Sequence, residues 1–88
     1  MKLYDLCFAT FATDGSRVMH KALVMARRRG DAYALRWDFT YALGDARNVT
    51  FTTHAEYIRK AVLALIRDTL DPIHVRFDPA VLLFEIKL

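Results

Sequence analysis

LYDLCFATFATDGSRVMHKALVM, residues 3–25, decides which side of this chain becomes its interior. Strand-forming residues fill Leu3 to Phe11, and Thr13-Asp14-Gly15-Ser16 then supplies Asp-Gly, a favoured central pair for a two-residue hairpin turn. A turn centred on Asp14-Gly15 sets Thr10 against Met19, Phe8 against Lys21, Leu6 against Leu23 and Tyr4 against Met25. On the other face Phe11 meets Val18, Ala9 meets His20, Cys7 meets Ala22 and Asp5 meets Val24. The competing reading makes Arg17 to Arg29 a helix, since Ala, Leu, Met, Lys and Arg favour one and Ser16 could cap it.

The next stretch, RRRGDAYALRW (27–37), opens the clearest strand pattern in the chain. Tyr33, Leu35, Trp37, Phe39, Tyr41 and Leu43 alternate with Ala34, Arg36, Asp38, Thr40 and Ala42, giving one aromatic face and one mostly polar face. A two-residue turn at Gly30-Asp31, glycine first, lays the aromatic face beside Ala22, Val24 and Ala26, whose small side chains leave room for large rings. The two hairpins agree in placing Cys7, Ala9, Phe11, Val18, Ala22, Val24, Leu35, Trp37 and Phe39 together, which favours the strand reading of Arg17 to Arg29. The same registers send Asp5 to that inner face, where an unpaired carboxylate is costly. A position beyond the helix end, a partner such as Arg59, or a different register would relieve it.

Gly44-Asp45-Ala46-Arg47 reads as a loop and Asn48 to Thr52 as a short strand, with Val49 and Phe51 inward. Thr53-His54-Ala55-Glu56 fits a capping box, and a helix to about Leu70 follows with the stripe Ala55, Ile58, Val62, Leu65, Ile66 and Leu70 and with Lys60, Arg67 and Asp68 outside it. Asp71-Pro72 ends the helix, because the residue before proline avoids helical geometry. Ile73 to Phe77 and Val81 to Leu88 read as two more strands, and in the last Leu82, Phe84, Ile86 and Leu88 alternate with Leu83, Glu85 and Lys87. The expected fold is one α+β domain over residues 1–88, an antiparallel sheet in the order β-β-β-β-α-β-β with one amphipathic helix packed on one face.

Composition excludes several function classes. Hydrophobic residues make up 55% of the 88, with three glycines and two prolines, so the chain is not a disordered segment. The net charge of +3 permits a polyanionic partner without requiring one. A single cysteine rules out an intrachain disulfide, and the start shows neither an h-region nor a cleavage site, so a reducing cytoplasmic setting is expected. Charged residues interrupt every apolar run well short of the ~20 residues that span a membrane.

No motif specifies a chemistry. Cys7 and His20 fall on one face in the register above, so a thiolate-imidazole pair is conceivable, but that face is the one the helix covers and a buried cysteine there acts as a small hydrophobe. His20, His54 and His74 lack metal-ligand spacing; neither a phosphate loop nor a serine-nucleophile elbow is present. No catalytic residue, metal, cofactor or small-molecule substrate is therefore expected. Arg29-Gly30-Asp31 and the sequon Asn48-Val49-Thr50 are chance matches.

What the sequence does point to is the sheet's second face. Tyr4, Leu6, Phe8, Met19, Leu23 and Met25 fall there with Lys21, Arg27, Arg36 and Asp38, and one helix cannot cover both faces. The expectation is a small protein-binding domain that interacts or occludes through Tyr4, Leu6, Phe8, Met19, Lys21, Leu23, Met25, Arg27 and Arg36. Its partner is another protein or a second copy of the chain, as in a phage-type inhibitor of a nuclease machine or a homodimer. The alternative is nucleic-acid binding, with sheet aromatics stacking on bases and Arg27, Arg28 and Arg29 on phosphates, although Arg27 and Arg28 point to opposite faces.

Overall fold

A computed structural model describes residues 1–38, 51–53 and 57–87, with the side chains of 51–53 left aside. Their elements are β1 (Lys2–Phe11), β2 (Arg17–Arg29), β3 (Ala32–Asp38), the three-residue β4 (Phe51–Thr53), the helix α1 (Ile58–Leu70) and β5 (Leu82–Ile86). The strands form one antiparallel sheet in the order β4-β3-β2-β1-β5, so the last strand returns to lie beside the first. The chain is α+β, with Arg17–Arg29 as strand.

The first hairpin corrects the expected register by one residue. Gly15 N–H donates to the Ala12 carbonyl and Ala12 N–H to the Ser16 carbonyl, each at 2.9 Å, and Gly15 has φ +84°. These are the marks of a three-residue loop, Thr13-Asp14-Gly15, in which a type I turn is followed by a left-handed glycine. The Asp14 carboxylate fastens it, accepting from Ser16 N–H at 2.9 Å and Ser16 Oγ at 2.6 Å, and these two bonds hold its pKa below the usual carboxylate value. Asp-Gly thus occupies the second and third positions of a longer loop and not the centre of a two-residue one. The pairs become Tyr4–Val24, Leu6–Ala22, Phe8–His20 and Thr10–Val18.

Because side chains alternate across a strand, a slip of one residue exchanges the faces of β1. Tyr4, Leu6, Phe8 and Thr10 are buried, whereas Cys7 and Phe11 lie on the opposite face. Asp5 is exposed, opposite Leu23 on one side and Phe84 on the other, so the expected buried carboxylate does not arise. Arg59 instead donates to the Val81 carbonyl at 2.7 Å.

The second hairpin has the expected register. Arg29 pairs with Ala32, Ala26 with Leu35 and Val24 with Trp37. Gly30 has φ +62° while Asp31 stays in the ordinary negative region, the signature of a type II′ turn with glycine first. The expected continuation of β3 through Phe39, Tyr41 and Leu43 lies outside the described residues, as do the loop at Gly44–Arg47, Val49 and the sequon.

The helix docks on the face formed by Tyr4, Leu6, Phe8, Val24, Ala26, Leu35 and Trp37. It buries Ile58, Val62, Leu65, Ile66 and Leu70 of the expected stripe and, beside them, Ala61 and Thr69, while Ala55 lies outside the described residues. Each fully buried aliphatic side chain contributes ~1.5–3 kcal/mol before ordering entropy is subtracted, so this contact dominates stability. The start of the helix differs from expectation. Thr53 closes β4 opposite Tyr33, His54 to Glu56 of the expected capping box lie outside the described residues, and Tyr57 takes the N-cap position with no side-chain capping hydrogen bond.

After Leu70 the chain does not form the strand expected over Ile73 to Phe77, so the order β-β-β-β-α-β-β is corrected. Pro72 has the φ of a helical first turn. Asp71–Ile73 accordingly winds into a 3-10 turn, closed by His74 in the left-handed region at φ 56°, with His74 N–H donating to the Asp71 carbonyl at 3.0 Å. The chain then meets β1 at a single bridge, Thr10–Phe77, flanked by Phe11 N–H to the Arg76 carbonyl and Asp78 N–H to the Ala9 carbonyl. Relative to β1 the segment between Phe77 and Leu82 carries two extra residues, Val81 drops into the core, and β5 begins along β1 with Cys7 opposite Leu82. In β5 it is Leu83 that packs on the core, while Leu82 and Phe84 stand outside.

Candidate functional site: the open face of the sheet

Among the described residues, every element outside the sheet contributes to the helix-covered side or to the β1 edge. The opposite face carries Leu3, Asp5 and Cys7 from β1, Met19, Lys21, Leu23, Met25, Arg27 and Arg29 from β2, Arg36 and Asp38 from β3, and Leu82, Phe84 and Ile86 from β5. Met19, Leu82 and Phe84 are 58%, 51% and 61% exposed. Large apolar side chains left this open, together with arginine, are the composition of interfaces more than of ordinary solvated surface.

The face is divided by chemistry. Its β1–β5 side carries the exposed Leu82 and Phe84, the latter lining a depression of about 280 Å³ together with Asp5, Cys7 and Lys21 among others. The β2–β3 side is basic: Arg27, Arg29 and Arg36 line a depression of about 240 Å³ with Met1, Met25 and Ala34, and no carboxylate is among its lining residues. Arg28 is on the other face and bends back to donate from Nε to the Gly30 carbonyl at 2.9 Å. The expected triplet Arg27-Arg28-Arg29 is thus split. Arg36 takes the third place, brought there by its pairing with Met25.

Of the residues expected to meet a partner, Met19, Lys21, Leu23, Met25, Arg27 and Arg36 lie together on the open face. Tyr4, Leu6 and Phe8 do not; they are 9%, 1% and 1% exposed, inside the core, because the longer first loop reverses β1. Leu82 and Phe84 were missed. Their alternation with Leu83 and Glu85 was visible, but alternation alone does not say which row of an edge strand faces the helix.

The same reversal separates Cys7 from His20. Cys7 is half-buried on the open face, whereas His20 lies on the helix-covered face, opposite Phe8 and with Nε2 at 2.8 Å from Thr10 Oγ1. Burial lowers the His20 pKa below 6.5, and the Phe8 ring lies 5.3 Å away. The two side chains cannot form a thiolate-imidazole pair across the sheet. Among the described residues, no group of three or more His, Cys, Asp or Glu side chains is placed to hold a metal ion. No described helix is long and apolar enough to cross a membrane.

Among the described residues, the fold and face define an antiparallel α+β sheet with one side closed by a helix and the other open. Comparison with known proteins adds no name to that class: no family model, curated protein or solved structure matches the chain.

Proposed function

We propose that this chain is a small non-catalytic domain that binds another protein through the open face, acting by interaction or occlusion in an intracellular setting. The observation that carries the reading is the row of exposed Met19 and half-buried Leu23 and Met25 between the exposed Leu82 and Phe84 on one side and Arg27 and Arg36 on the other. Apolar anchors with arginine at the margin supply buried area and orientation together. The test is capture of partners from the source cell by the tagged chain and by Met19→Asp, Arg36→Glu and Lys60→Ala, the last on the exposed side of α1. A partner kept by the native chain and Lys60→Ala but lost by the other two supports the reading. A partner profile indifferent to all three overturns it.

The depression lined by Arg27, Arg29 and Arg36 favours a second reading, binding of a nucleic-acid backbone. Titration of single- and double-stranded oligonucleotides at low and moderate salt decides it. Binding with a steep salt dependence that weakens in Arg27→Ala and Arg36→Ala supports it, and no binding at low salt removes it.

A further inference from the structure

At one edge of the sheet β5 is a five-residue strand, Leu82–Ile86, with Leu82 and Phe84 exposed, the kind of unpaired edge that can pair with another strand. Its charged residue, Glu85, is compensated by Lys87 at 3.0 Å, a contact that also lowers the Glu85 pKa. Among the described residues, none pairs with the outer edge of β5.

The hydrogen-bond phase of β1 fixes which groups that edge offers. Phe11 N–H and the Ala9 carbonyl point toward the C-terminal segment, so the odd-numbered residues of β1 direct their backbone groups to that side. Leu82, Phe84 and Ile86, opposite Cys7, Asp5 and Leu3, therefore spend their N–H and C=O groups on β1. Those of Leu83 and Glu85 point outward. An antiparallel strand added at this edge meets two residues ready to exchange bonds, with Phe84 between them at a non-hydrogen-bonded position where side chains approach most closely.

A second copy of β5 meets those requirements. We propose that the chain self-associates through β5, antiparallel about a two-fold axis at Phe84, so that two sheets become one. In this pairing Leu83 exchanges both backbone hydrogen bonds with Glu85 of the other copy, and Glu85 with its Leu83. On the open face Phe84 lies against Phe84, and Leu82 against Ile86. Glu85 is not set directly opposite its own copy, and Lys87 stays beside it. A face-to-face dimer, by contrast, buries Lys21, Arg27, Arg29 and Arg36 of both copies in one interface. The edge dimer leaves those arginines free, so it goes beyond the docking of a partner and does not depend on it.

The experiment is sedimentation equilibrium of the native chain from micromolar to millimolar concentration, with three sets of variants. The native chain is expected to reach twice its 10.2 kDa mass. Glu85→Pro removes an outward N–H while sparing the bonds to β1, and Phe84→Lys charges an exposed edge position; both are expected to stay folded by circular dichroism and to lose the dimer. In a Cys7→Ser background, Phe84→Cys is expected to form a covalent dimer on mild oxidation and Met19→Cys is not. A native chain that stays monomeric throughout overturns the proposal. So does a dimer that survives Glu85→Pro and Phe84→Lys, or equal cross-linking at Met19→Cys. Met19→Asp loses a docked partner without changing the dimer mass, so failure of one reading is distinguishable from failure of the other.

Discussion

The β1–β2 and β2–β3 hairpins share a strand and are both turned by a glycine-aspartate pair, yet one residue of loop length separates their consequences. Gly30-Asp31 makes a two-residue turn and leaves β3 with the register its pattern suggests. Thr13-Asp14-Gly15 makes a three-residue loop and reverses the faces of β1 relative to a two-residue turn. The lesson is that in a strand with large apolar residues on both faces, loop type chooses the interior. β1 is such a strand, with Tyr4, Leu6 and Phe8 on one side and Leu3, Cys7 and Phe11 on the other. Loop length also decides which apolar side chains are left for a partner.

The largest expected effect tests that choice of interior directly. Phe8→Ala removes a buried ring and should destabilise the chain by ~3–5 kcal/mol in urea denaturation. Phe84→Ala, at a position 61% exposed, should change stability by no more than about 0.5 kcal/mol when measured at concentrations below self-association. Equal losses at the two phenylalanines would break the assignment of faces.

Next come the turn glycines, where the two loops should respond differently. A Cβ meets nothing within 4 Å at either Gly15 or Gly30, so a substitution acts through backbone conformation alone. At Gly30 the type II′ position excludes side chains generally, and both Gly30→Ala and Gly30→Asn should cost about 1–2 kcal/mol. At Gly15, in the left-handed position of the longer loop, Gly15→Ala should cost a similar amount while Gly15→Asn recovers most of it, because asparagine tolerates that region. Thermal or urea unfolding of the four variants measures the contrast.

A smaller effect is expected from deleting Thr13. The shortened loop places Asp14-Gly15 at the centre of a two-residue turn but still leaves Phe11 opposite Arg17, so all pairs of the hairpin survive. The deletion should cost no more than ~1 kcal/mol, even though it removes a residue from the fold's decisive loop.

The smallest effect is in pH dependence. The folded-state pKa of His20 lies below 6.5 because of burial, so the unfolded chain binds the proton more readily. The stability tied to this group is fully present above pH 6.5 and is lost as pH falls through the folded pKa. His20→Gln, which keeps a hydrogen-bonding group for Thr10 Oγ1, should flatten that part of the stability profile. An unchanged slope below neutral pH would contradict the burial of this imidazole.

The parts of the fold legible in the sequence were those with one dominant pattern. Alternation over Tyr33 to Trp37 identified β3 and its inner row, and the stripe from Ile58 to Leu70 identified the helix and its buried side. The first hairpin was legible as a hairpin but not in register, because Asp-Gly serves two loop types and both faces of β1 are apolar. The segment after Pro72 was misread because strand-forming residues at Ile73, Val75 and Phe77 obscured a 3-10 turn closed by His74. At the open face, Met19, Lys21, Leu23, Met25, Arg27 and Arg36 were found, since all come from the correctly paired β2 and β3. Leu82 and Phe84 were missed because the side of an edge strand is set by long-range pairing with β1, which local alternation does not encode.

The register of β1 against β2 is the central claim, and cross-strand Hα–Hα nuclear Overhauser effects measure it most directly. Ala12 and Ser16 form a hydrogen-bonded pair, so the odd-numbered residues of β1 occupy non-hydrogen-bonded pairs, in which the α-hydrogens come closest. The account predicts strong effects between Cys7 and Lys21, between Ala9 and Met19, and between Asp5 and Leu23. Strong effects between Phe8 and Lys21 or between Leu6 and Leu23 would contradict it, returning Tyr4, Leu6 and Phe8 to the open face.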